Sequence, residues 1–133
     1  MGCRQSRYFG GLTNEDLPSS SKASLVMSFH SSARWQLHFD SCKESSQLMV
    51  VDFASSRSWR GKRIEPAVRD MATKFADVEF VKIDVDELSD VAKEFEVQAT
   101  PTFVLVKRGK EVDRVVGAKK DELQKKIQKH RAS

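Results

Sequence analysis

Val50-Val51-Asp52-Phe53, followed by Ala54-Ser55-Ser56-Arg57-Ser58-Trp59-Arg60-Gly61-Lys62-Arg63 and then Ile64-Glu65-Pro66, reads as a buried strand, a loop and a helix start. Function is expected there. An aspartate inside an apolar strand is expensive to desolvate and is normally kept only where its shifted proton affinity has a use. The alternative is that Asp52 faces solvent at a strand end. Around this stretch, 133 residues suit one domain with a single core. The net charge is +4, but 32% of residues are charged and both signs are present, which points to solubility and to no specific nucleic-acid partner. The two cysteines, Cys3 and Cys42, form neither a disulfide framework nor a metal-ligand spacing, as suits a reducing compartment.

Met1-Gly2-Cys3-Arg4-Gln5-Ser6 matches the N-myristoylation pattern at Gly2, with Cys3 beside it as a palmitoylation site. Two acyl chains make a stable anchor where one is marginal, and Arg4 and Arg7 add attraction to anionic lipid. The competing reading is an unmodified tail. No apolar run of the secretory type precedes the domain. Gly10 to about Lys22 reads as a linker. Residues 1–23 are therefore expected to be a flexible extension and residues 24–133 the folded domain.

Within the domain, Leu25 to Phe29 reads as a first strand. A helix capped by Ser31 or Ser32 should then run to about Glu44, with Trp35, Phe39 and Cys42 on its apolar stripe. Cys42 is read as a small buried residue, since the alternative of a regulatory thiol needs an exposed position. Leu48 to Phe53 forms the central strand. The following helix presents Ile64, Ala67 or Val68, Met71 and Phe75, and Pro66 should kink it. Val78 to Val85 is a further strand, and Asp86 or Ser89 opens a short helix containing Val91, Ala92 and Phe95. Thr102 to Val106, a turn at Arg108-Gly109 and Val112 to Val116 make a hairpin of half-buried strands. A last helix from Lys119 to about Arg131 buries Leu123 and Ile127. Alternating strands and helices before a C-terminal hairpin and helix predict an α/β fold with a mixed five-stranded sheet. Pro101 marks a rigid turn. Neither His30 nor His38 has a cysteine or carboxylate at a ligand spacing, so no metal and no cofactor are assigned.

Five stretches together resemble the thioredoxins, in particular the plant h type, over about Leu25 to Arg131. They are Val50 to Phe53, Ile64-Glu65-Pro66, Val81 to Asp86, Ala99-Thr100-Pro101-Thr102-Phe103 and Val116 to Leu123. The resemblance implies the thioredoxin fold, a central mixed five-stranded sheet flanked by about four helices. It also implies a protein-disulfide reductase that acts on extended protein or peptide clients in the cytoplasm. By resemblance, Lys82 sits near a buried Asp52 that assists proton transfer. The Thr100–Pro101 bond is cis, so that the Thr100 backbone can pair with a client, and Gly117 and Trp59 border the client groove.

What the family keeps between strand and helix is Trp-Cys-Gly-Pro-Cys, and this chain has Arg57-Ser58-Trp59-Arg60-Gly61 there. Ungapped counting from Phe53 to Pro66 places Ser58 and Gly61 at the two cysteine positions. A gapped register would place Arg60 and Arg63 there, and neither register supplies a sulfur. Disulfide exchange needs an attacking thiolate and a second thiol to resolve the mixed disulfide, roles a serine oxygen cannot fill. The chain is therefore expected to be an inactive client-binding module, attached to the plasma membrane or endomembranes if acylated. The competing reading is a reductase whose segment was changed by engineering or sequence error. Arg57, Arg60, Lys62 and Arg63 crowd the helix start and are candidate anion ligands, with plain solvated side chains as the alternative.

Overall fold

In the computed structural model, which describes residues 25–131, β1 (Val26–Phe29), α1 (Ser32–Ser41), β2 (Met49–Ala54), α2 (Trp59–Lys74) and β3 (Glu79–Asp84) come first. They are followed by α3 (Ser89–Glu94), β4 (Thr102–Lys107), β5 (Lys110–Val116) and α4 (Lys120–Arg131). The strands form one sheet in the order β1-β3-β2-β4-β5. β1 and β2 run parallel to β3, and β4 is antiparallel to β2 and β5. This is the mixed five-stranded sheet the sequence predicts, with Val50, Val51, Val81 and Phe103 all in it. The helical crossovers through α1 and α2 return the chain parallel and the two-residue turn after β4 reverses it, whereas the connection through the short α3 brings β4 in antiparallel to β2. That turn has Arg108 and Gly109 at φ 55° and 78°, the left-handed pair a tight hairpin requires.

Strand pleating divides the core into two layers. Val50, Phe80, Phe103 and Leu105 pack with Ile64, Val68 and Met71 of α2 and Leu123 and Ile127 of α4. Met49, Val51, Phe53, Val81 and Ile83 pack on the other side with Trp35, Cys42 and residues of α3. Because both faces are covered, β4 is buried from Thr102 to Val106, not half-buried as its pattern suggested. The edge strand β5 buries Val115 and leaves its first residues exposed.

The end of α1 differs from expectation. Ser31 caps α1 by accepting from the Arg34 N–H at 3.3 Å, as read, but the helix stops at Ser41 instead of Glu44. Cys42 takes the C-cap and donates its N–H to His38 and Phe39 carbonyls. Lys43 to Ser46 then offer no apolar side chain to keep the helix on the sheet, and serines favour turns. α3 begins at Ser89 with buried Leu88 in the cap position and no side-chain cap bond. Asp86 instead accepts from the Ser55 hydroxyl at 2.7 Å, tying the loop after β3 to the loop after β2.

Candidate functional site

β2 directs Val50 and Asp52 toward α2. The sheet register places Asp52 beside Lys82 of β3 and Phe103 of β4. Asp52 is only 4% exposed, and its Oδ1 is buried without a hydrogen-bond partner. The solvent-facing alternative is thereby closed. Burial pushes its carboxyl up to about 7; the Lys82 charge pulls it down and Glu65 pushes it up. Lys82 makes no direct bond to Asp52; its ammonium donates to Glu65 Oε2, which reaches over from α2. Ser28, Asp52, Glu65 and Lys82 share a cavity of about 120 Å³. The part Glu65 plays follows from the docking of α2 on the sheet, which no spacing in the sequence encodes.

Ser58 occupies the N-cap of α2 and donates its backbone N–H to the Ser55 carbonyl at 3.0 Å. Its side chain makes no cap bond, so capping through the Ser58 hydroxyl is not realised. Gly61 is buried as the third residue of the helix. A Cβ built there would lie 3.7 Å from Ala54 Cβ, an ordinary contact.

Trp59 is 59% exposed at the head of α2, with the guanidinium groups of Arg60 and Arg63 at 5.7 and 5.4 Å from its ring. Beside it lies a groove of about 1080 Å³, walled by α2 on one side and by Thr100, Val116 and Gly117 on the other. The Thr100–Pro101 bond is cis; Thr100 lines the groove, whereas Pro101 is buried and does not. Gly117 donates to the Pro101 carbonyl at 2.7 Å and holds φ 102°, where a side chain would be strained. Neither backbone polar group of Thr100 has a partner among the described residues. Trp59, Thr100 and Gly117 thus meet in one groove, along with Val116, a 48% exposed side chain that sequence reading had given no part there.

The four cations at the helix start do not form one cluster. Arg60 and Arg63, one turn apart, line the groove. Lys62 projects toward a separate pocket of about 130 Å³ beside Ser56 and Asp84, and exposed Arg57 borders neither.

On the opposite face of the sheet, His38 has partners that sequence spacing did not reveal. Its Nε2 lies 3.1 Å from Glu79 Oε2 and 3.7 Å from Cys42 Sγ, and all three residues are buried. Only His38 and Cys42 are one helical turn apart; Glu79 arrives from β3 through the fold. His30 likewise meets Glu87 at 2.8 Å. Both histidines thus gain carboxylate partners through the fold, where spacing along the sequence offers no ligand set. Cys42 is 5% exposed, so the exposure a regulatory thiol would need is lacking. Gly2 and Cys3 lie outside the described residues. Among the described residues, no helix is long and apolar enough to cross a membrane.

A mixed sheet of this order, with a buried aspartate under a helix head and a cis-proline beside it, defines a protein of the thioredoxin-fold class. The thioredoxin family model matches residues 29–129, and the chain belongs to the thioredoxin family, in its plant h type. It is 60% identical to Thioredoxin H2 of Arabidopsis thaliana, over 99% of this chain and all of that protein. It is 54% identical to Thioredoxin H2-2 of Oryza sativa subsp. japonica, over 78% of each. The crystal structure of the thioredoxin NaTrxh from Nicotiana alata superposes with a TM-score of 0.81 and 65% identity, covering 81% of this chain and 94% of that one. The family is one of thiol–disulfide oxidoreductases acting on protein substrates, and h-type homologues are generally cytosolic.

Proposed function

We propose that this chain is a client-binding thioredoxin that holds extended protein segments in the groove of Trp59, Thr100 and Gly117 without turning over their disulfides. The observation that carries the reading is the absence of any cysteine after Cys42, which leaves the head of α2 without sulfur. A helix N-terminus favours a thiolate, so the attacking position belongs at the cap, where Ser58 stands; the resolving position, one turn in, is Gly61. Asp52 and Lys82, which by resemblance assist proton transfer, have no thiol at the head of α2 to serve. Disulfide reduction on a protein substrate is the direct test. The chain as it stands should be inactive, and Ser58→Cys with Gly61→Cys should recover turnover, since the Gly61 site admits a side chain. Substantial activity in the unaltered chain that survives replacement of Cys3 and Cys42 would defeat the proposal.

The whole-chain likeness to Thioredoxin H2 favours a second reading, a reductase whose segment 54–63 was altered after the fact. Sequencing the transcript separates the two. For the N-terminus, we propose acylation at Gly2 reinforced at Cys3, resting on the motif and on the adjacent Arg4 and Arg7.

A further inference from the structure

We propose that the groove selects an acidic client, an extended segment whose Asp or Glu side chains meet Arg60 and Arg63 while an apolar residue lies against Trp59. The inference rests on the client-binding reading and names the chemistry of its ligand. Arg60 and Arg63 have no ion pair among the described residues, and neither do Lys119 and Lys120 on the opposite wall. Other exposed cations, Arg34, Arg57 and Lys93 among them, also lack an ion pair among the described residues, so what distinguishes Arg60 and Arg63 is their place one turn apart on a groove wall beside an exposed indole. The groove's own acids are Asp70, farther along α2, and Asp121 and Glu122 in the first turn of α4. Glu122 is held by Lys126 at 3.3 Å. The end of the groove at Trp59 is therefore basic.

Both guanidinium groups lie over the indole, a contact that limits their freedom before any ligand arrives and so lowers the cost of ordering them. The unpartnered Thr100 backbone decides what kind of anion fits. It offers an N–H and a C=O side by side, which an extended peptide can satisfy and a polynucleotide or free phosphate cannot. Carboxylates on such a peptide would reach the arginines while its backbone pairs at Thr100.

The test uses the full chain and three fluorescein-labelled peptides of equal length, Ala-Glu-Glu-Phe-Glu-Ala and its all-Gln and all-Lys counterparts, followed by anisotropy. At low salt the Glu peptide should bind about ten-fold more tightly than the Gln peptide, because several exposed charge contacts act together, and added salt should narrow the gap. Arg60→Glu with Arg63→Glu should invert the order in favour of the Lys peptide, a gain that a misfolded variant cannot produce. Equal binding of the Glu and Gln peptides would overturn the acidic preference and leave the groove standing. No binding of any peptide would overturn the groove reading itself. A single-stranded oligonucleotide binding as tightly as the Glu peptide would reduce the arginines to a general polyanion site and end the proposal.

Discussion

At the scale of single residues, Asp52 ties stability to pH. In the unfolded chain its carboxyl titrates near 3.8, and in the folded protein near 7, because burial disfavours the charged form. Below about pH 3 both states are protonated and the residue carries no penalty. As pH rises from about 3 to 7 the unfolded state loses its proton first, so stability falls, and above about 7 the full penalty is present. The shift corresponds to a ceiling of about 4 kcal/mol. Asp52→Asn should therefore stabilise the protein by about 1 to 3 kcal/mol at pH 8, since the amide also lacks partners, and by nearly nothing at about pH 3. Urea melts at the two pH values check this, and a gain equal at both would show that ionisation is not its source. Asp113 works in the opposite direction. Burial would raise its carboxyl, but bonds from Lys126 and His130 of α4 and the Arg114 N–H outweigh it and hold it at about 2. Its contribution is present above about pH 4 and lost as pH falls toward 2.

Among the elements, α2 concentrates the functional questions. Its head lacks a side-chain cap bond and carries Arg60, Lys62 and Arg63 in its first turns, charges that oppose the positive end of the helix dipole. Gly61 adds backbone freedom in the unfolded chain without being needed for a left-handed conformation or a close approach. Gly61→Ala is thus expected to stabilise the protein by about 0.5 to 1 kcal/mol, read as a shift of the urea midpoint with unchanged slope. Destabilisation would mean that the pocket beside Ala54 does not accept a methyl group. A helix strained by its own charges at one end and held by Ile64, Val68 and Met71 against the sheet at the other is free to devote its head to a partner.

For the molecule as a whole, the anchoring proposed from the motif at Gly2 is tested by fractionation. Wild type expressed in plant cells should fractionate with membranes and Gly2→Ala should not; a fully soluble wild type would end that proposal. Within the described residues, the amino-acid order by itself determined the strands, the hairpin turn at Arg108-Gly109, the covered faces of α1, α2 and α4, and the missing sulfur at 57–61. Each is a matter of local periodicity, turn chemistry or residue identity, and contacts between distant segments do not enter. The burial of Asp52 was a forecast from cost alone until the sheet closed over it. Tertiary structure decided the Lys82–Glu65 pairing, the meeting of His38 and Cys42 with Glu79, the complete burial of β4 and the separation of Lys62 from Arg60 and Arg63. These depend on which helix lies over which strand and in what rotation. A side chain's neighbours across such an interface come from dozens of residues away, so the spacing along the chain carries no trace of them.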